Sequence, residues 1–213
     1  EVLQRSLLPA SLPDIPQWDL TADYRPAAGG RVGGDWYDAF QLRDGRLVVV
    51  LGDVAGHGLT AAGAMAQLRN ALRAQLFAGA APDAAVAQLN DFSVHLMPRS
   101  FATALVARVD PGSGVVEAAS AGHLMPYVVS PLGEPVPAPI RLSPPIGVRT
   151  ATYSQSTLTI ERGQRLVMYS DGLVERRGAS IDDGLDRLAR ILDCHDDADA
   201  SGISTAMAPE ETD

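Results

Sequence analysis

The chain of 213 residues carries 17 basic and 26 acidic side chains, and 46% of its residues are hydrophobic, which suits one globular domain with a substantial core. It has no apolar run long enough for a transmembrane helix and no recognisable secretory leader, so we expect no membrane insertion and a cytoplasmic protein. The lone Cys194 excludes a disulfide framework and a multi-cysteine metal site, and the absence of a basic stripe argues against nucleic-acid binding.

The first predicted element is a short helix over residues 2–8, which Pro9 ends. The apolar residues that share one of its faces are Val2, Leu3, Leu7 and Leu8. Because the chain starts at Glu1 in mid-helix, we expect residues 1–10 to be a helical linker from an upstream sensor domain, and a place where two copies pair as a homodimer. A simple N-terminal packing helix is an equally good interpretation.

Hydrophobic periodicity predicts the elements that follow. Alternating apolar residues indicate strands, a repeat of three to four indicates helices, and Asp44-Gly45 is a typical hairpin turn. Residues 131–147 hold six prolines and are predicted to be an irregular loop. The predicted elements are strands over 18–24, 35–42 and 46–54, helices over 59–77 and from Pro82 to Leu96, strands over 101–109, 115–120, 126–130, 152–160 and 165–170, and a helix through Leu185, Leu188 and Leu192.

This order of elements predicts an α+β fold. Strands joined by hairpins, then two helices, then further strands and a helix favour layers of antiparallel sheet and helix over a parallel βαβ sheet. We expect this domain to span residues 11–192. Residues 193–213 carry seven acidic residues and no Arg, and without them the net charge of −9 becomes −2. We therefore expect a solvated, mobile acidic tail.

Four short stretches place Asp or His beside glycine where predicted strands begin or end. They are GGDWYD (33–38), GDVAGHG (52–58), AGH (121–123) and SDG (170–172). Asp35, Asp53 and Asp171 form a candidate carboxylate cluster, and converging carboxylates repel one another unless cations neutralise them. Hard divalent ions such as Mg²⁺ and Mn²⁺ prefer such oxygen ligands. Each stretch alone is also ordinary turn chemistry.

Together these stretches resemble the signature of a known family. GGDWYD, GDVAGHGLTAA, FAT (101–103), AGH and YSDGLVE (169–175) are similar to the motifs of the SpoIIE/RsbU-like branch of the PPM-type (type 2C) metal-dependent protein serine/threonine phosphatases. The resemblance extends from about Leu3 to Leu192. It implies two antiparallel β-sheets packed face to face with helices outside each, which agrees with the order of predicted elements.

The resemblance also implies a site with two Mn²⁺ or Mg²⁺ ions, where a water between the metals attacks a phosphoserine or phosphothreonine. Asp35, a bridging Asp53 and the Val54 backbone carbonyl would bind metal, and Asp171 would hold the second ion. Members of the family end with a further metal-binding Asp and a last apolar strand. That strand is missing here, and Asp213 is the candidate for the remaining ligand, which leaves open whether one metal site is complete.

The other polar residues of these motifs have open or structural roles. His57 is a candidate general acid or water-orienting group, or a structural residue that bonds loop carbonyls. For His123, fixing the AGH turn is favoured over catalysis. Cys194-His195-Asp196 resembles a run of metal ligands, but an ordinary helix end is the favoured interpretation. The Glu-Arg-Arg run at residues 175–177 predicts a solvated face, whose arginines are candidates to dock a substrate protein.

The substrate that the resemblance implies is an anti-anti-sigma factor, a STAS-domain protein whose dephosphorylation frees a sigma factor in bacterial partner switching. Two alternatives stay open. One is a catalytically weak or inactive phosphatase-like binding module, against which the retained Asp35, Asp53 and Asp171 argue. The other is a generic metal hydrolase that acts on small phosphoesters. The set of motifs favours a protein substrate over such small molecules. Apart from the candidate docking arginines, the residues that bind the substrate are unknown from the sequence.

Overall fold

The computed structural model describes residues 8–25, 33–131, 134–176, 178–194 and 199–208. Most of the predicted helix over residues 2–8 therefore lies outside the described residues, and so do Arg177, His195, Asp196 and Asp213. Leu8 is described and packs against the main core. In this part of the chain, no helix combines the length and apolar character needed to cross a bilayer.

The helices and strands follow the predicted order closely. The hairpin and both long helices begin and end within a few residues of their predicted limits. In chain order, the elements are β1 (Trp36–Gln41), β2 (Leu47–Val54), α1 (Leu59–Phe77), α2 (Pro82–Leu96), β3 (Ala102–Val109), β4 (Val115–Ala121), β5 (Tyr127–Val129), β6 (Val136–Pro137), β7 (Leu142–Ser143), β8 (Ser156–Thr159), β9 (Arg165–Val167), α3 (Asp171–Val174), α4 (Ile181–Cys194) and α5 (Ala200–Met207).

The strands form two sheets. The six-stranded sheet has the order β1-β2-β3-β4-β7, with β8 also paired to β4, and the three-stranded sheet has the order β6-β5-β9. Among the described strands, every pairing is antiparallel except the short one between β4 and β7, so the larger sheet is mixed rather than purely antiparallel.

Successive side chains of a strand point to opposite faces of the sheet, so the buried residues form separate layers of core. Val48 and Val50 of β2 pack with Leu68 in a cluster formed with α1 and α2. Leu47 of β2 and Leu105 of β3 lie on the opposite face of the larger sheet and belong to a cluster between the two sheets. A third cluster joins the smaller sheet to α3, α4 and α5. The order of layers is helix, sheet, sheet, helix, which confirms the predicted α+β sandwich.

Residues 18–24 do not form the predicted strand. Trp18 makes an isolated bridge with Ile15, and its indole Nε1 donates a hydrogen bond to the Pro111 carbonyl at 3.0 Å. Trp18 and Leu20 pack against the cluster between the sheets. The alternating pattern thus reflects the partial burial of Trp18 and Leu20, whereas Ala22 is exposed and no described strand pairs with this segment.

The proline-rich stretch 131–147 is more regular than predicted. Its described part contains β6 and β7, of which β6 pairs with β5 and β7 pairs with β4. Pro137 lies in β6, at the edge of the smaller sheet, where its missing amide hydrogen does not interrupt a ladder on both sides.

The expectation of a solvated tail is wrong for residues 200–207, which form α5. The Asp199 side chain caps this helix by accepting a hydrogen bond from a first-turn amide at 2.8 Å. Ile203 and Met207 are buried in the cluster with the smaller sheet. At the other end, Arg187 donates hydrogen bonds to two carbonyls near the helix terminus, at 3.0 and 3.2 Å. The acidic residues flank this apolar helix and do not interrupt it.

Substitution of Gly52 by Ala is expected to destabilise the larger sheet. Gly52 pairs with Trp36 across the hairpin, and a Cβ at Gly52 would lie 2.3 Å from the Trp36 ring. We expect a loss of about 1–3 kcal/mol in the free energy of unfolding because the buried indole has no room to shift, measured by urea denaturation.

Gly63→Ala is the matched control. Gly63 is exposed in α1, and its added Cβ would meet no atom within 4 Å. Alanine should stabilise the helix by up to about 1 kcal/mol. Equal effects of the two substitutions would contradict the proposed clash with Trp36.

Candidate metal centre

Three of the predicted metal ligands meet at one edge of the sandwich. Asp35 directly precedes β1, Asp53 is the second-last residue of β2, and Asp171 is the first residue of α3. One carboxylate oxygen from each lies within 4.8 Å of the other two. Asp35 and Asp53 are half-buried and Asp171 is exposed, so solvent reaches the cluster at Asp171.

The register of the first hairpin places Asp35 beside Asp53. Trp36 pairs with the residue before Asp53, so the next position of the ladder sets the two carboxylates opposite each other. The amide of Val54 donates to the Gly34 carbonyl at 3.2 Å and extends the pairing. A Cβ at Gly34 would lie 2.1 Å from the Val54 carbonyl oxygen. Glycine is therefore required at this close approach of two backbones.

Asp171 reaches the cluster from the smaller sheet. The chain leaves β9 and enters α3 through Tyr169 and Ser170. The Ser170 hydroxyl donates a hydrogen bond to Asp35 Oδ2 at 3.3 Å, which ties this segment to the larger sheet. Ser170 begins the SDG stretch, but no sequence pattern indicated its contact with Asp35.

Burial and mutual repulsion raise the pKa of the carboxylates. Burial, followed by the charges of Asp53 and Asp171, raises the pKa of Asp35 from its ordinary 3.8 to about 7. Burial and then the charge of Asp171 also raise the pKa of Asp53. Asp35 Oδ1 is buried and accepts no hydrogen bond from the residues that the structure describes. A bound cation would provide both a partner for this oxygen and a compensating charge.

The donor set fits a hard divalent cation such as Mg²⁺ or Mn²⁺, because each clustered ligand atom is a carboxylate oxygen. The Val54 carbonyl oxygen, a predicted ligand, lies close to Gly34. Asp213 lies outside the described residues. The structure thus brings together Asp35, Asp53 and Asp171, while the ligand roles of all five positions remain predictions.

His123 lies beside this cluster and is buried. Its Nδ1 is 2.7 Å from Thr103 Oγ1, and its Nε2 is 3.2 Å from the Tyr169 carbonyl oxygen. Burial lowers the pKa of His123 to about 4, so the imidazole is neutral at neutral pH. In this state Nε2–H donates to the Tyr169 carbonyl and Nδ1 accepts from the Thr103 hydroxyl. These contacts favour the predicted structural role over catalysis.

Comparison with known proteins identifies the family. The sequence model of the family described as "Stage II sporulation protein E (SpoIIE)" matches residues 43–210, which is well over half of the chain. The chain belongs to the SpoIIE family. This membership confirms the resemblance to the SpoIIE/RsbU-like branch of the PPM-type phosphatases that the motifs predicted.

Two curated relatives are much longer proteins. Protein IcfG of Synechocystis sp. is 30% identical over 207 residues, covering 82% of this chain and 32% of its own length. The phosphoserine phosphatase RsbP of Bacillus subtilis is 25% identical over 155 residues, covering 70% of this chain and 38% of its own length. The chain therefore spans about a third of each of these relatives.

Solved structures share the fold. The RsbU and RsbW domains of Rv1364c from Mycobacterium tuberculosis match with a TM-score of 0.73 and 33% identity, over 80% of this chain and 48% of that one. The PP2C phosphatase domain of SpoIIE from Bacillus subtilis matches with a TM-score of 0.70 and 20% identity, over 85% and 54%. RsbX in complex with magnesium matches with a TM-score of 0.64 and 18% identity, over 89% and 83%. The last two likenesses show the fold alone.

The second aspartate of the SpoIIE-family stretch GGDWYD has a structural role. Asp38 is buried and forms ion pairs with Arg69 at 3.4 Å and Arg73 at 3.1 Å, both on α1. Arg73 also stacks over the Phe40 ring at 4.8 Å. These contacts fasten α1 to β1, the strand that follows Asp35. No short-range sequence pattern pairs Asp38 with these two arginines, which lie on a later element of the chain.

Tyr24 is a further neighbour of the cluster that the sequence analysis missed. Its side chain is half-buried, and burial together with the nearby charge of Asp35 raises the pKa of its hydroxyl to about 12. It precedes the motifs in an irregular segment, where alternation predicted only a strand. No sequence signal connected it with Asp35.

The remaining predicted residues lie outside the cluster. His57 is exposed and makes no hydrogen bond within the described ranges, so its interpretation as a residue that bonds loop carbonyls is not supported. Arg176 is half-buried and donates a hydrogen bond to the Met207 carbonyl at the end of α5, so it does not belong to a solvated face. Cys194 is exposed at the end of α4.

Protonation of Asp35 is expected to make the stability of the metal-free protein depend on pH. Its pKa in the folded state is about 7, above the ordinary 3.8, so the folded state binds this proton more tightly than the unfolded chain. The free energy of unfolding should therefore fall, by on the order of 1–3 kcal/mol, as the pH rises from about 4 to about 7. Urea denaturation in the presence of a chelator measures this.

Asp35→Asn should remove most of this fall because asparagine does not titrate. Asp19→Asn, at an exposed position, should keep the pH dependence of the parent. Identical pH profiles for the parent and Asp35→Asn would show that Asp35 does not titrate in this range.

Proposed function

We propose that this chain is a metal-dependent protein phosphatase that hydrolyses phosphoserine or phosphothreonine. The observation that carries the proposal is the convergence of Asp35, Asp53 and Asp171 from two sheets, with their oxygens within 4.8 Å. The buried Asp35 Oδ1, which accepts no hydrogen bond within the described part of the chain, adds to it. Among the described residues these three carboxylates form no ion pair with a basic side chain, and carboxylates held this close are suited to cation binding. Membership of the SpoIIE family, together with the sequence similarity to the phosphoserine phosphatase RsbP, supports the same reaction here.

The proposed site binds two Mn²⁺ or Mg²⁺ ions. Asp53 would bridge them, Asp35 and the Val54 carbonyl would contribute further oxygens, Asp171 would hold the second ion, and Asp213 would complete the set. Bound divalent cations lower the pKa of a water and stabilise charge on phosphoryl oxygens. Ser170 orients the Asp35 carboxylate by donating to Oδ2.

We propose that the substrate is a phosphorylated protein, namely a STAS-domain anti-anti-sigma factor of a bacterial partner-switching pathway. The likeness to the RsbU domain of Rv1364c, which stands beside an RsbW domain in that protein, supports this choice. The exposure of Asp171 is consistent with it, because a phosphoserine on a folded partner must reach the cluster from solvent.

Asp53→Asn is expected to abolish most of the phosphatase activity. It removes one negative charge and one ligand oxygen from the centre of the cluster, and we expect kcat to fall by on the order of 100-fold or more. Hydrolysis of p-nitrophenyl phosphate with Mn²⁺, compared between the parent and the variant, measures this. Asp19→Asn changes the net charge by the same amount at an exposed position and should keep the parent rate.

The same assay separates the proposed phosphatase from a binding module. A parent that is inactive with Mn²⁺ and with Mg²⁺, also with additional residues after Asp213, would contradict the proposal and favour a module that only binds its partner. For an active parent, a chelator should abolish the rate and added Mn²⁺ should restore it. A kcat/KM much higher for a phosphorylated STAS protein than for p-nitrophenyl phosphate would support the proposed substrate, and similar values would favour a generic phosphoesterase.

A further inference from the structure

We propose that His123 is a positioning residue that fixes the distance between the two halves of the metal centre. Its effect on catalysis rests on the proposed function, whereas its effect on the structure does not. The larger sheet supplies Asp35 and Asp53, and the segment after β9 supplies Asp171. A rigid connection between these two parts is needed, because three mutually repelling carboxylates otherwise move apart when no cation is bound.

The two hydrogen bonds of the His123 ring end at the two ligand-bearing segments. Thr103, which lies 2.7 Å from Nδ1, is the direct cross-strand partner of Asp53 in the pairing of β2 with β3. Tyr169, whose carbonyl oxygen lies 3.2 Å from Nε2, is two residues before Asp171. One imidazole therefore spans from the neighbour of Asp53 to the backbone that carries Asp171.

The backbone that carries the imidazole is itself held firmly. The His123 carbonyl accepts a hydrogen bond from the Ser120 hydroxyl at 3.3 Å. The amide of Gly122 donates to the Ser143 carbonyl at 2.7 Å. Gly122 has a φ of +67°, and a Cβ there would lie 2.7 Å from the Pro145 ring. The glycine of the AGH stretch thus permits the turn that directs the imidazole between the sheets.

A histidine that merely filled space would not need these partners. His123 is 3% exposed, and both of its ring nitrogens bond to groups adjacent to candidate metal ligands. Groups that hold the ligands of a metal in place typically change metal affinity 10–100-fold when they are lost. The proposal therefore predicts weaker metal binding from substitutions that do not touch any carboxylate.

The test compares Thr103→Val, His123→Ala and His123→Gln with the parent. Valine keeps the shape of Thr103 and removes its hydroxyl, and glutamine retains a donor that can reach the Tyr169 carbonyl. Leu72→Ala is the control, because Leu72 is buried on the helix side of the larger sheet and its truncation lowers stability without touching the His123 contacts. Mn²⁺ affinity is measured by calorimetry, and amide hydrogen exchange is measured over residues 168–174.

We expect the Kd for Mn²⁺ to rise about tenfold or more in Thr103→Val and His123→Ala, with a smaller rise in His123→Gln and the parent value in Leu72→Ala. Exchange over residues 168–174 should be faster in the first two variants than in Leu72→Ala. Excess Mn²⁺ should restore the kcat of Thr103→Val toward the parent value, because the reacting groups are all retained.

Folded Thr103→Val and His123→Ala variants with the Mn²⁺ affinity and exchange rates of Leu72→Ala would overturn the proposal. If His123→Ala does not fold, Thr103→Val and His123→Gln decide by the same criteria. A parent that binds no Mn²⁺ would refute the proposed metal centre instead, and the exchange rates alone would then decide whether His123 holds the two segments together.

Discussion

Repulsion among three carboxylates is the constraint on which the architecture of this domain depends. Asp35, Asp53 and Asp171 come from segments that have no local reason to meet, and each anion raises the free energy of ionising its neighbours. The fold opposes this repulsion with groups that are themselves uncharged: the hairpin ladder, the Ser170 hydroxyl and the neutral His123 ring. Cationic side chains are used elsewhere, where Arg69 and Arg73 neutralise Asp38. The negative potential of the cluster can therefore attract a cation from solution.

Much of the larger sheet could be predicted from the sequence because its first hairpin is specified by residues that are close together in the chain. The Asp44-Gly45 turn sets the hairpin, and the hairpin register brings Asp35 opposite Asp53. The position of Asp171 depends on how the second sheet packs on the first, which no short-range pattern encodes. The SDG stretch marked Asp171 as a candidate carboxylate, but its role as ligand of a second metal ion was implied only by the family resemblance. The contacts of His123 depend on the same packing. Their partners in β3 and after β9 could not be identified before the two sheets were placed.

The errors of prediction have physical causes as well. Residues 18–24 alternate between apolar and polar side chains, and Trp18 and Leu20 pack against the cluster between the sheets, but such packing does not specify a partner strand. The net charge of residues 193–213 predicted a solvated tail. Ile203 and Met207, however, are spaced one helical turn apart and form an apolar stripe that is buried. Charge composition averages over a segment, whereas a helix needs only a few apolar side chains in the right phase.

The docking of α5 bears on where this domain can be cut for expression. A boundary drawn at Leu192 from the motifs would delete Ile203 and Met207, which cover Leu188 and Leu192 of α4. It would also leave the Arg176 and Arg187 guanidinium groups without the carbonyls at the end of α5. Arg176 follows α3, the helix that Asp171 begins. We expect a shortened fragment to expose apolar surface and to loosen the segment that carries Asp171, so a fragment for expression should extend at least to Ala208.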